Sequence, residues 1–149
     1  MLGEWLGMLT LRGPFTLSNF HLPASGQPAP SSPEQETGWR MVALYTGPSH
    51  RGRELTKKLI NNAIDFGKEY SKTQGDAMNA RFRPFVHPDN KLVVGLYEGM
   101  GFTDAGRMTL AEGFVANGDS DLAPADSTDI EEHRMWWRRR IGLAMELVV

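Results

Sequence analysis

Residues 44–59, with the sequence LYTGPSHRGRELTKKL, combine the end of an apolar segment, a Gly-Pro turn and the start of a helical pattern. Backbone N–H groups at a helix start, together with the positive end of the helix dipole, attract anions. Arg51 and Arg53 add positive charge, and Gly52 lets the backbone approach a phosphate closely. The segment therefore predicts an anion site; the alternative is that Gly52 only turns the chain and both arginines are solvated. It is neither a Walker loop nor a dinucleotide fingerprint, because the Lys-Ser/Thr pair and the glycine triplet are absent.

No motif fixes a general base. His50, His87 and His133 have a side chain whose ordinary pKa suits proton transfer, but a surface or turn histidine is the favoured interpretation for each. Glu146 lies on the closing strand, where an outward, solvated carboxylate is equally compatible with the pattern. The histidines show no metal-ligand spacing, so no metal is predicted.

Strands and a helix that could position the anion site are predicted on both sides of it. Trp5–Leu11 is rich in large apolar residues and ends at the breaker Arg12-Gly13-Pro14, which predicts a strand followed by a turn. Trp39–Thr46 predicts a second strand. Helical spacing of apolar residues over Leu55–Tyr70 predicts an amphipathic helix lying on a sheet. Residues 18–37 hold four prolines and several serines, which predicts a loop.

The second half of the chain continues this alternation. Its predicted elements are a strand over Arg81–Val86, a helix over Leu92–Met100, a strand over Phe102–Leu110, an acidic loop over residues 112–133 and a closing strand over Met135–Val149. Pro84 makes the first of these strands an edge, bent or interrupted one. The order predicts an α/β fold, an α+β sandwich in which a mixed twisted sheet of about five strands has a helix on each face. Residues 1–149 are expected to form one domain.

The composition is that of a soluble globular domain, with 149 residues, a net charge of −2, 40% hydrophobic residues and no cysteine. The lack of cysteine excludes thiol catalysis and disulfides, and it favours a cytoplasmic location. The charge balance predicts no nucleic-acid partner, and no apolar run approaches the ~20 residues of a membrane span. Residues 134–140 mix four arginines with two tryptophans, which favours a twisted strand with one wet face over a phosphate-binding surface.

Two motifs together resemble the GNAT acetyltransferase superfamily. Ser49–Glu54 is similar to the family loop Q/R-x-x-G-x-G/A, and Asn90–Phe102 is similar to the family helix N-x-x-A-x-x-L-Y-E-x-x-G-F. The motifs occur in the family's order and spacing, and the similarity covers Trp39 to about Arg107. The resemblance implies a GNAT-like fold, acetyl-CoA as co-substrate, and transfer of an acetyl group to a primary amine of a small molecule or peptide.

The resemblance also implies a role for each matching position. The strand residues that would present backbone groups to the pantetheine arm are Leu44, Tyr45 and Thr46. The residues that would face the pyrophosphate are Arg51, Gly52, Arg53, Leu55 and Thr56, while Asn90 would hold the arm from the opposite side. Tyr97 would stand beside the thioester sulfur as general acid, because a phenol within hydrogen-bond reach can protonate a departing thiolate. The alternative for Tyr97 is a core residue with its hydroxyl at the rim.

The chain also departs from the family pattern. Ser49 stands where Gln or Arg is expected, and Glu54 and Thr56 replace small residues; a carboxylate at Glu54 would repel a pyrophosphate. The family has about two helices and one or two strands before the strand predicted at Trp5–Leu11. That strand is therefore expected to have an open edge, and the chain to self-associate. The alternative function is a non-catalytic CoA-binding or protein-interaction domain derived from a truncated acetyltransferase.

Overall fold

The computed structural model describes residues 5–15, 33–52, 54–74, 77–116, 121 and 141–149. The strands are β1 (Gly7–Phe15), β2 (Glu36–Thr46), β3 (Asn79–Val86), β4 (Thr103–Thr109) and β5 (Ile141–Val148), and the helices are α1 (Leu55–Thr73), α2 (Lys91–Gly99) and α3 (Leu110–Ala116). No helix within these ranges has both the length and the apolar character needed to cross a bilayer.

The five strands form one mixed sheet in the order β1-β2-β3-β5-β4. β2 and β3 run parallel and are joined through α1, whereas all other neighbouring strands run antiparallel. A parallel pair needs a crossover connection, and the helical spacing of residues 55–73 supplies it. The predicted mixed sheet of about five strands is confirmed.

One face of the sheet is covered by α1 and α2, whose buried residues join a single apolar cluster with the strands. Ile60 and Ile64 of α1 pack there with Trp39 and Phe82 of the sheet. Gly67 allows close contact, since a Cβ at this position would lie 2.6 Å from the Phe82 ring. The strands are therefore held against α1 at its middle turns, which fixes the position of the helix start at the other end.

The second face carries α3, which lies over a smaller cluster that includes Phe85 and Met108. The sheet with helices on both faces is thus confirmed, but the two predicted helices, α1 and α2, share one face and α3 covers the other. The acidic loop predicted over residues 112–133 is wrong at its start, because residues 110–116 are helical. Glu112 accepts the backbone N–H of Thr109 at 2.7 Å and closes this helix start locally. The rest of that predicted loop, apart from residue 121, lies outside the described residues.

Two further predictions about strands need correction. The turn predicted at Arg12-Gly13-Pro14 is wrong, because β1 continues through these residues to Phe15 with an irregularity in its pairing to β2. Pro14 is tolerated there since β1 pairs only with β2 within the described residues, and a proline on the outer side of an edge strand removes no ladder bond. β2 begins at Glu36, inside the predicted loop at residues 18–37. The arginines and tryptophans of residues 134–140 lie outside the described residues.

Candidate functional site

The candidate site lies where two parallel strands separate. β2 and β3 are paired from Glu36 opposite Asn79 to Met41 opposite Pro84. Beyond this point β2 continues to Thr46 and β3 to Val86 without further pairing to each other. Pro84 has no N–H to donate, so it fits the last paired position of an interior strand. The prediction that Pro84 interrupts its strand is therefore correct for the pairing with β2. The alternative of an edge strand is wrong, because β3 lies between β2 and β5.

A bulge in β2 marks the same opening. Met8 of β1 lies opposite Tyr45 and Thr10 lies opposite Val42, so β2 has one extra residue in this interval. Ala43 has φ of 54°, a left-handed conformation that is rare for a residue with a side chain. The extra residue of a bulge does not take part in the ladder. Backbone polar groups near Ala43 are consequently available to a ligand in the opening.

A cavity of about 660 Å³ lies between the end of β2, the start of α1 and α2. The predicted strand residues Leu44, Tyr45 and Thr46 line it. Arg51, Gly52 and Thr56 of the loop and first helical turn, and Asn90 before α2, line it as well. Seven of the nine predicted cofactor-binding residues are thus brought together around one cavity.

Of the two remaining predicted residues, Leu55 does not line this cavity. Leu55 is half-buried and faces β1, where its Cδ2 would lie 3.4 Å from a Cβ added at Gly7. The backbone N–H of Leu55 still belongs to the first turn of α1. Any contact of Leu55 with a pyrophosphate is therefore expected from its main chain and not from its side chain. Arg53 lies outside the described residues.

The loop before α1 has the geometry of an anion-binding turn. Gly52 has φ of 76°, and no atom lies within 4 Å of the position that a Cβ would occupy. The first-turn N–H groups of α1 have no acceptor within the helix. The hydroxyls of Thr46 and Thr56 are hydrogen-bonded at 2.8 Å, which ties the strand end to the helix start. Arg51 Nε donates to the carbonyl oxygen of Thr46 at 3.3 Å.

Glu54 introduces a negative charge at this positive site. It precedes the first residue of α1, has φ of 59°, and makes no side-chain cap to the helix. Its exposed side chain lines the cavity together with that of Lys57. The left-handed backbone at Glu54 explains why a small residue would be better accommodated there.

A second, smaller cavity of about 430 Å³ adjoins the first and lies in the gap between β2 and β3. Leu44, Asn90 and Val93 line both cavities, so they form the junction between them. Asn90 caps α2 by accepting the backbone N–H of Val93 at 3.3 Å. The position of this junction is therefore set by the start of α2.

Tyr97 lines the smaller cavity and is 2% exposed. Its ring packs edge-on against Phe102 with centroids 5.0 Å apart. Burial raises the pKa of Tyr97 to about 12, because the charged phenolate loses its solvation. The phenol is consequently protonated throughout the neutral range. Tyr97 thus satisfies both interpretations from the sequence, being a packed core residue whose side chain also borders the cavity.

The possible general bases are placed very differently. Glu146 is bound by Arg81 at 2.8 Å and by Arg83 at 3.0 Å, so the alternative of an outward, solvated carboxylate is wrong. His87 lines the smaller cavity, and its Nδ1 accepts the backbone N–H of Asp89 at 3.2 Å. In this arrangement the neutral ring carries its proton on Nε2, which is then a donor. His50 lies outside both cavity linings, 3.0 Å from the Ser49 hydroxyl, and His133 lies outside the described residues.

Sequence reasoning did not single out Lys57 or Val93 as site residues. Val93 lies four residues before Tyr97, a spacing that places both on one face of α2. Lys57 lies in the first turn of α1, beside the predicted anion loop. Both residues could therefore have been identified from the sequence, Val93 by its helical spacing from Tyr97 and Lys57 by its position in the first turn after the anion loop.

An open parallel strand pair beside a helix start that attracts anions is the architecture of a cofactor-binding α/β domain. The chain belongs to the acetyltransferase (GNAT) family, whose model matches residues 3–102, more than half of the chain. This match confirms the resemblance carried by the two sequence motifs. A comparison with curated protein sequences finds no significant match.

Solved structures with a TM-score above 0.5 show the same fold. Arabidopsis thaliana NAA60 in complex with acetyl-CoA is similar with a TM-score of 0.59 and 14% identity, over 98% of this chain and 66% of that chain. Arabidopsis thaliana Naa50 in complex with the bisubstrate analogue CoA-Ac-MVNAL has a TM-score of 0.52 and 13% identity, over 95% and 64%. The spermidine/spermine N-acetyltransferase SpeG from Vibrio cholerae has 20% identity and a TM-score of 0.40, over 77% and 50%. The chain spans less than two thirds of the length of each of these structures.

Proposed function

We propose that this chain is an N-acetyltransferase that transfers an acetyl group from acetyl-CoA to a primary amine. The observation that carries the proposal is a pair of adjoining cavities with three lining residues in common, which are bordered by the predicted anion loop, the β2 bulge and Tyr97. The similar folds of NAA60, which was solved with acetyl-CoA, and of Naa50, which was solved with a CoA bisubstrate analogue, support it.

The residues of the larger cavity fit a coenzyme A thioester. The pyrophosphate would be held by the first-turn N–H groups of α1, with charge from Arg51 and Lys57. Gly52 leaves room for a phosphate oxygen where a side chain would otherwise stand. Backbone groups of Leu44, and the Asn90 side chain across the cavity, would hold the pantetheine arm. The exposed Glu54 carboxylate opposes this binding, so we expect an affinity below that of a loop with glycine there.

Acetyl-CoA supplies the acetyl group as an activated thioester. The backbone N–H groups beside the Ala43 bulge would donate to the carbonyl oxygen as negative charge develops on it. In the transfer the amine nitrogen gains a bond to carbon and releases one proton, while the carbon–sulfur bond breaks. Tyr97 would give its proton to sulfur and recover one from solvent, a return favoured by its raised pKa of about 12.

Release of free thiol from acetyl-CoA, measured with a panel of neutral, acidic and polycationic amines, tests the proposal. We expect thiol release that depends on the amine and yields an N-acetylated product by mass spectrometry. A reaction without amine controls for hydrolysis. Calorimetry with CoA measures binding separately, so binding without turnover toward any amine would contradict the enzyme and favour the CoA-binding domain.

A further inference from the structure

Three polar side chains line the smaller cavity, those of His87, Asn90 and Tyr97. The other described lining residues are apolar, and no described lining residue carries a carboxylate. The separated backbones of β2 and β3 present both N–H and C=O groups to the gap, so they do not select between hydrogen-bond donors and acceptors. A ligand in this cavity is therefore selected by what the three polar side chains can donate or accept.

All three side chains can act as hydrogen-bond donors in the cavity. Asn90 Oδ1 accepts the backbone N–H of Val93 at 3.3 Å, which leaves the amide N–H groups of Asn90 as donors. His87 Nδ1 accepts the backbone N–H of Asp89 at 3.2 Å, so Nε2 carries the proton and donates. Protonation of the ring at Nδ1 would leave Nε2 a donor as well, and the phenol of Tyr97 is a third donor. These side chains therefore complement oxygen atoms better than ammonium groups.

Two of the three donors already have a role in the proposed acetyl transfer, on which this inference rests. Asn90 lines both cavities and would hold the pantetheine arm, while Tyr97 would protonate the sulfur. His87 directly follows β3 and lines only the smaller of the two cavities. Its side chain is 43% exposed, so an acceptor that enters from solvent can reach it. The Nε2–H of His87 is therefore left for the acceptor.

We propose that the acceptor is an α-amino amide, in which a carbonyl oxygen adjoins the primary amine, and that His87 is a specificity-determining residue that donates its Nε2–H to that oxygen. An amine without the carbonyl leaves this N–H without a partner when the cavity is filled, and an unpaired polar group is costly. A polyamine in addition brings a second ammonium, for which the described lining offers no carboxylate. The carbonyl should therefore raise kcat/KM by about 5- to 50-fold.

Two acceptors of the same shape test this inference on the unmodified protein. Isobutylamine matches glycinamide except that methyl groups replace the carbonyl oxygen and the amide nitrogen. Their kcat/KM values are compared per concentration of unprotonated amine, because the two amines differ in basicity, and spermidine is measured alongside. Glycinamide should react about 5- to 50-fold faster than isobutylamine and faster than spermidine. Equal or slower reaction of glycinamide would overturn the inference alone, whereas no turnover with any amine would overturn the proposed function as well.

A glycine tripeptide amide distinguishes the two sources of an α-amino amide. Faster reaction of the tripeptide than of glycinamide assigns the amino terminus of a peptide, since further residues then add contacts. Equal or slower reaction assigns a small amide. Either result supports recognition of the carbonyl, provided that both acceptors react faster than isobutylamine.

Matched variants assign the preference to its source. His87→Phe keeps an aromatic ring without an N–H, so the preference for glycinamide should disappear, whereas His87→Gln keeps an amide N–H and should retain most of it. His50→Phe makes the same change at a histidine that lines neither cavity and should leave the preference intact. Calorimetry should show the same CoA affinity in all three variants. An unchanged preference in His87→Phe, or an equal loss for both amines, would contradict the assignment; if His87→Phe does not fold, the ratio in the unmodified protein decides.

Discussion

Replacing Glu54 by glycine should strengthen coenzyme A binding with little change in stability. The two effects on stability oppose each other. Glycine removes the cost of the left-handed backbone at φ of 59°, about 1–2 kcal/mol for a residue with a side chain. It also adds about 0.4–1 kcal/mol of unfolded-chain entropy and loses about 0.3–1 kcal/mol of favourable charge at the start of α1. The free energy of unfolding should therefore change by less than about 1 kcal/mol.

The substitution is expected only to increase the affinity for coenzyme A. Glu54 lines the proposed pyrophosphate cavity, so its carboxylate faces a ligand group with about two negative charges. At a separation of roughly 8 Å and an effective dielectric constant between about 40 and 80, the repulsion is about 1–2 kcal/mol. Its removal corresponds to about 5- to 30-fold tighter binding. Because the Debye length falls from about 10 Å at 0.1 M salt to about 3 Å at 1 M, most of the gain should disappear at high salt.

Titration calorimetry with CoA at low and high salt measures this difference, and two control variants separate its causes. Glu54→Gln removes the charge but keeps a side chain in the left-handed conformation, so it should give most of the gain in affinity. Asp65→Asn removes one negative charge from an exposed position on α1 that does not line the cavity, and it should have little effect. Equal or weaker binding by Glu54→Gly at low salt would refute the reasoning, since the carboxylate would then point away from the ligand.

The remaining predictions concern four single substitutions and the edge of the sheet. Tyr97→Phe should lower kcat by about 10²- to 10⁴-fold with little change in CoA affinity, and an unchanged kcat would remove Tyr97 from the mechanism. Gly67→Ala should destabilise the fold by about 1–3 kcal/mol in urea unfolding, since its Cβ would meet the Phe82 ring at 2.6 Å. Gly95→Ala, which meets no atom within 4 Å, should instead stabilise α2 by up to about 1 kcal/mol. Glu146→Gln should cost about 3–5 kcal/mol, because it removes a carboxylate from two arginines with little exposure; a loss below about 1 kcal/mol would show that the pairs contribute little. Within the described residues β1 pairs only with β2. An edge strand of this kind should promote self-association, so light scattering over a dilution series should show a mass above that of the monomer.

Local sequence patterns were sufficient to predict the elements that build the larger cavity. The end of β2, the start of α1 and the cap of α2 depend on Gly-Pro, on helical spacing and on Asn90, all of which act within a few residues. Seven predicted residues therefore meet around one cavity. Their individual roles in binding remain predictions until ligand titrations are made.

The features that the sequence did not reveal depend on distant partners. Arg81 and Arg83 alternate with apolar residues, and their carboxylate partners lie 45 and 63 residues away in the chain. The continuation of β1 through Pro14 depends on pairing with β2. The spacing of residues along the chain carries no information about such distant pairs. The burial of these arginines therefore could not be predicted from the sequence and is seen only in the folded structure.

The ion pair of Arg83 lies at the level of the sheet where β2 and β3 begin to separate. Arg83 lies on β3 directly before Pro84, at which pairing with β2 ends. Its bonds to Glu146 attach β3 to β5 at the last level where the sheet is continuous. β2 and β3 can keep a fixed gap beyond this attachment, because the preceding part of β3 is paired with β2 on one side and attached to β5 on the other. The ion pair of Arg83 with Glu146 therefore lies at the base of the opening that Tyr97 and the β2 bulge border, and Glu146→Gln should impair catalysis as well as stability.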